Sequence, residues 1–147
     1  MVTAVGRLHP DMIIHLGDCW ADAEQLHRKF PMTVMEQVPG NCDCRQEVQE
    51  RILLIEGKKI LICHGHTFNV RAGYLNLEYA AEERKVDAAL FGHTHRVFYD
   101  KHNRITYMNP GSIGQPPYGI PPSYGVLQVD GSSNTIATDV IYLEENN

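Results

Sequence analysis

The chain has 147 residues, 43% hydrophobic and 21% charged, which suits one globular domain spanning 1–147 and excludes a disordered chain. A formal charge of 13 − 18 = −5, with no dense Lys/Arg run, excludes bulk electrostatic binding of nucleic acid. No apolar stretch approaches the roughly 20 residues that span a bilayer, and no basic-then-apolar leader is present, so the expectation is a cytoplasmic protein without a membrane segment.

In chain order, Met1 to His9 reads as the tail of a helix, with Val2, Val5 and Leu8 on one stripe. Pro10-Asp11 breaks it, and Met12 to Leu16 follows as a buried strand ending at Gly17-Asp18. Trp20 to Phe30 reads as a helix with Ala23, Leu26 and Phe30 on one face, and Met32 to Val38 as a short strand closed by Pro39-Gly40-Asn41. Gln49 to Glu56 and Lys58 to Cys63 form two strands joined at Glu56-Gly57-Lys58, the second running into His64-Gly65-His66. A helix is predicted over Val70 to Lys85 from the stripe Val70, Tyr74, Leu77 and Ala81. Ala88 to Phe91 is a buried strand that exits at Gly92-His93-Thr94-His95. Arg96 to Tyr99 and Ile105 to Met108 form a hairpin around Asp100 to Asn103. Asn109-Pro110-Gly111-Ser112 is a turn, followed by a rigid loop with Pro116, Pro117, Pro121 and Pro122. Ser123 to Val129 and Thr135 to Leu143 close the chain as an antiparallel pair. Early strand–helix alternation and a late run of strands predict a mixed sheet packed on a second, more antiparallel one, with helices outside.

The chemistry sits where strands end. Asp18, Asn41, His64 with His66, and His93 with His95 each follow a strand and adjoin a glycine. Loops at strand ends gather on one edge of such a sheet, where ligands bind. His93 and His95 are two residues apart, so in an extended segment both rings face one pocket. A carboxylate, an amide oxygen and imidazoles suit a divalent ion such as Mn²⁺, Fe²⁺, Ni²⁺ or Zn²⁺. Each residue also has a plainer reading: Asp18 as a helix cap, Asn41 as a turn residue, the histidines as polar loop groups. His9, His15, His27 and His102 lack partners at motif spacing. Cys19, Cys42, Cys44 and Cys63 are read as free thiols, with Cys19 and Cys63 in packing roles. The Cys-x-Cys at 42 and 44 has no second pair to complete a thiolate site.

Ile-His-Leu-Gly-Asp, Pro-Gly-Asn-Cys-Asp, Cys-His-Gly-His, Phe-Gly-His-Thr-His and Asn-Pro-Gly-Ser occur in this order between Pro10 and Val129. The series resembles the calcineurin-like metallophosphoesterases, and within them the small bacterial and archaeal phosphodiesterase branch. The resemblance implies a four-layer αββα sandwich of two mixed sheets flanked by helices, with two divalent metals, manganese foremost, at the strand ends. It implies that Asp18 bridges the ions, that Asn41, His64 and His93 complete the second ion's shell, and that His95 serves the first. Asn41 and His66 would contact phosphate, and the substrate would be a phosphate-ester small molecule hydrolysed by metal-activated water.

Two departures shape the expectations. The family opens with a strand ending Asp-x-His that nothing here matches, so the chain is expected to be truncated, beginning in the helix after it. The first ion then keeps only Asp18 and His95. Where many relatives place a general-acid histidine, this chain has Cys42, as the small phosphodiesterases often do. An incomplete metal pair leaves a second reading open, a non-catalytic binding or scaffold protein on the same fold. A missing central strand would also expose apolar faces, which predicts a homodimer unless Met12 to Leu16 and Thr135 to Leu143 draw together.

Overall fold

The computed structural model describes residues 1–143. The chain order is α1 (Val2–Leu8), β1 (Met12–His15), α2 (Trp20–Lys29), β2 (Val34–Gln37), β3 (Glu50–Ile55) and β4 (Lys58–Cys63). A 3₁₀ turn (His66–Phe68), α3 (Leu75–Arg84), β5 (Ala88–Leu90), β6 (Val97–His102), β7 (Ile105–Pro110), β8 (Ser123–Asp130) and β9 (Thr135–Tyr142) complete it.

Five strands form the central sheet in the order β3-β4-β5-β7-β6. Its middle strands β4, β5 and β7 run parallel, and β3 and β6 flank them antiparallel. Strand alternation assigns two cores to its two faces. Leu61, Cys63, Ala89, Phe91 and Tyr107 pack on one face against Leu77 and Ala81 of α3. Ile60, Ile62, Ala88, Leu90 and Met108 pack on the other, with Ile14 and Leu16 at β1 and Leu127, Ile136 and Val140 of β8 and β9 laid over them. Ile60, Leu61 and Ile62 are all fully buried, each contributing about 1.5–3 kcal/mol of apolar burial. Beyond β1 and β2 lies α2, which buries Ala23 and Leu26. The layers are therefore helix, sheet, sheet and helix, the αββα sandwich that the motifs implied.

The second layer differs from expectation. It is not one mixed sheet but two separate pairs, β1 parallel to β2 and β8 antiparallel to β9. Met12 to Leu16 and the final strand do not pair by backbone; they meet through side chains in one apolar cluster. Smaller corrections have local causes. The helix predicted from Val70 begins at Leu75, because Gly73, at φ 150°, breaks the stretch between Val70 and Tyr74. Val70 and Tyr74 are apolar because they pack on the core, Tyr74 lying 4.0 Å from Phe98 between ring centroids, and not because they extend the helix. The β6–β7 hairpin is longer than predicted: it turns at Asn103-Arg104, both at positive φ, and Asn109-Pro110 belongs to β7.

Candidate metal centre

Four strand ends deliver the site. β1 leads to Asp18, β2 to Asn41, β4 to His64 and β5 to His93, and the sandwich brings these ends to one edge. His64 is the anchor, at 1% exposure. Its Nδ1 lies 2.6 Å from the Leu16 carbonyl oxygen. A carbonyl can only accept, so Nδ1 carries the proton, and in the neutral ring Nε2 is left with a bare lone pair. That lone pair faces Asn41 Oδ1, Asp18 Oδ2 and His93 Nδ1, each at 3.2 Å. Asn41 Nδ2 turns instead to Cys42 Sγ at 3.5 Å, keeping the amide oxygen inward.

The charge states follow from surroundings. Burial lowers the His64 pKa, and burial together with the Arg71 guanidinium lowers that of His93 to about 4, so both rings are neutral at pH 7. Burial acts to raise the Asp18 carboxyl, but the neighbouring His64 and hydrogen bonds from His95 and Cys42 outweigh it and hold it below its ordinary value. The hydrogen bond to Asp18 and its negative charge push the Cys42 thiol up, so Cys42 stays protonated. Electron-pair donors thus converge with few protons among them. A divalent cation is the species that such a set accommodates. Asp18, His64 and His93 place their ligand atoms within 4.8 Å of one another.

His95 also approaches Asp18, with Nε2 3.3 Å from the same Oδ2 and Nδ1 held 2.8 Å from the Gln115 carbonyl. His66 sits next to His64, ring centroids 5.3 Å apart, and its buried Nδ1 has no hydrogen-bond partner. The five motif residues and His66 come together as the sequence implied. His9 and His27 are exposed, while His102 pairs with Asp100 at 2.9 Å far along β6. The four cysteines are free, but Cys19 is exposed, so its packing role is not seen; Cys63 is buried, with its thiol pushed up to about 12 by burial.

Sequence reading passed over two residues. Asp43 accepts three backbone N–H groups: Oδ2 from Asp18 at 2.9 Å and Gly40 at 2.7 Å, and Oδ1 from Trp20 at 2.8 Å. It ties the loops after β1 and β2 together and fixes Asp18, which sits at φ 69°. Arg71 donates to the His93 carbonyl at 3.3 Å and sets a cation at the rim. Asn109, read as the start of a turn and of the Asn-Pro-Gly-Ser motif but given no role, is fully buried and holds Gly92 O at 2.7 Å and Thr94 Oγ1 at 3.0 Å. With Thr94 N bonded to Gly92 O, His93 is pinned in a tight γ-turn at φ 66°, a conformation that local energetics disfavour.

A sandwich whose strand ends gather a carboxylate, an amide oxygen and imidazoles around one lone pair is that of a metal-dependent phosphoesterase. The chain belongs to the calcineurin-like phosphoesterase superfamily, whose domain model matches residues 1–132. It is 34% identical to a probable metallophosphoesterase of Bacillus subtilis, YsnB, over 86% of this chain and 73% of that protein. It is 30% identical to the phosphodiesterase YfcE of Escherichia coli over 78% of this chain, which spans 50% of that protein's length. The solved structure of a predicted phosphoesterase from Streptococcus pneumoniae superposes with a TM-score of 0.80 at 25% identity, covering 96% of this chain and 80% of that one. The family is one of divalent-metal sites, in keeping with the donor set seen here.

Proposed function

We propose that this chain hydrolyses a small phosphodiester, and that Asp18, Asn41, His64 and His93 hold its principal divalent ion. The observation that supports this is the approach of two acceptor oxygens, Asn41 Oδ1 and Asp18 Oδ2, to the unprotonated His64 Nε2, with His93 Nδ1 beside them, an arrangement in which lone pairs oppose one another unless a cation sits within it. A divalent ion bound there polarises a phosphoryl oxygen and acidifies water. The protein's own groups do the rest. Leu16 fixes the His64 tautomer, Asn109 fixes the His93 loop, and Asp43 fixes the Asp18 backbone. The unpartnered His66 Nδ1 and the Arg71 guanidinium, with Asn41, are placed to bind phosphate oxygens. Asp18, whose Oδ2 lies 3.3 Å from His95 Nε2, would with His95 hold a second ion at a sparser position. Mn²⁺ suits the mixed oxygen and imidazole donors best, with Fe²⁺, Ni²⁺ and Zn²⁺ as competitors.

Among the described residues no helix is long and apolar enough to cross a membrane. Association into a dimer is supported by the unpaired outer edges of two two-stranded sheets and by exposed apolar side chains such as Met32 (95%) and Val34 (52%). Sedimentation over a dilution series tests it, a stable low-micromolar monomer being the contrary result.

Metal analysis after saturation with Mn²⁺ tests the site directly. Nearer one ion than two per chain is expected, with weak, metal-dependent hydrolysis of bis-p-nitrophenyl phosphate that His93→Ala removes. If His93→Ala leaves both metal content and rate unchanged, the assigned roles are wrong.

A further inference from the structure

The central sheet has a second polar end. A cleft of about 290 Å³ opens where β4, β5 and β7 begin, lined by Lys58, Asp87, Lys101, Arg104, Thr106 and Asn134 among others. Six residues of β4 separate it from His64, a span of about 20 Å at ~3.3 Å per residue, so it is not an extension of the metal centre.

Its donors outnumber its acceptors. Asp87 is the one carboxylate of its lining, and both of its oxygens are engaged, Oδ1 by Lys58 Nζ at 3.2 Å and Oδ2 by the Lys59 amide at 2.9 Å. Lys101 and Arg104 have no ion-pair partner among the described residues, and both side chains are exposed at the cleft wall. Ammonium and guanidinium groups donate and cannot accept. Thr106, 3% exposed, lines the same cleft. Three cations against one carboxylate also give a local excess of positive charge on a chain whose formal charge is −5.

We propose that this cleft is a second anion site that takes a phosphoryl group, from inorganic phosphate or from a phosphorylated small molecule. Arg104 supplies a planar fork for two phosphoryl oxygens, Lys101 and Lys58 supply point charges, and Thr106 donates from below. The proposal does not rest on the reading of the metal centre.

The test is an amide-resolved NMR titration of the full chain in low-salt buffer with sodium phosphate, adenosine monophosphate and, at matched ionic strength, sodium chloride. Saturable shifts are expected at Lys58, Asp87, Arg104 and Thr106 with the two phosphates and not with chloride. The Lys101→Gln/Arg104→Gln pair should weaken binding about tenfold or more, a loss of about 1.4 kcal/mol. Either single variant serves if the pair alters the circular dichroism. His93→Ala should leave this binding intact. Tighter binding of the nucleotide than of phosphate marks a phosphorylated small molecule as the ligand; equal affinity marks the free anion. Chloride reproducing the shifts, the charge-removed variants binding like the parent, or shifts confined to Asp18, His64 and His93 would each overturn the proposal.

Discussion

The two ends of the central sheet use the same backbone conformation for opposite purposes. At the amino-terminal end of β4, the left-handed residues Glu56 and Gly57 join β3 to β4, and Asn103 and Arg104 join β6 to β7. Both are two-residue hairpin connections, in which positive φ at both positions matches the twist of the strands. At the other end, Asp18 (φ 69°), His93 (φ 66°) and His95 (φ 57°) adopt positive φ while serving as candidate ligands. Nothing in local hairpin geometry asks for it there. Such conformations cost roughly 1–3 kcal/mol each and persist where the surroundings over-determine them. Asp43 and Asn109 are those surroundings. The lesson is that a left-handed residue signals function only when no strand-joining hairpin accounts for it.

Substituting a glycine at each end breaks this comparison most sharply. Gly17 sits at φ +98°, and a Cβ added there would lie 2.5 Å from Gly40 N and 2.8 Å from His64 Nδ1. Backbone and an anchored ring must both shift. Overpacking of about 1–3 kcal/mol and a left-handed penalty of about 1–2 kcal/mol combine. Gly17→Ala should therefore lose metal binding and a large part of its thermal stability. Metal content and melting temperature close to the parent's would show that the loops after β1 and β2 are more pliable than the contacts imply.

Asp43→Ala comes next. It leaves three backbone N–H groups without their carboxylate while touching no ligand atom. Removing such a supporting partner costs about 10–100-fold in metal affinity. Competition with a fluorescent chelator measures it. An unchanged affinity would mean that Asp18 is held by its own side-chain contacts alone.

The strand-end residues were legible because each motif couples a strand, a glycine and a ligand type, and a sandwich gathers strand ends. Asp18, Asn41, His64, His93 and His95 all meet for that reason. Arg71 was not, because it acts on a backbone group 22 residues away, at His93, and no local pattern encodes such a bond. Asp43 stood inside the Pro-Gly-Asn-Cys-Asp motif and its bond to Gly40 is local, but its hold on Asp18 spans 25 residues, so its supporting role was not legible. The split second layer was hidden for a similar reason: the apolar alternation of β1, β8 and β9 fixes which face turns inward, not which edge finds a partner.

The acid response separates the ends without mutation. The fold holds His93 neutral, at about 4 against an ordinary 6.5, and lowers His64 as well. A depressed histidine pKa favours the folded state fully above 6.5. That contribution is lost as pH falls from 6.5 towards 4, where the unfolded chain takes up protons that the folded one resists. With metal chelated, the melting temperature should fall across this window, and His93→Gln should flatten the slope. A pH-independent melting temperature between 6.5 and 4 in the parent would mean that these rings are not held neutral.

The smallest effect belongs to the hairpin end. Gly57 has φ +80°, and nothing lies within 4 Å of a Cβ added there. Gly57→Ala therefore meets only the backbone preference, about 1 kcal/mol against a left-handed alanine, partly offset by the lower entropy of its unfolded chain. A modest drop in melting temperature with unchanged metal affinity is expected. The contrast with Gly17→Ala is the point of the pair: one conformation and one added methyl group, but open solvent at one end and His64 at the other. If Gly57→Ala also weakened metal binding, the turn would be transmitting strain along β4 to His64, and the two ends could no longer be treated as independent.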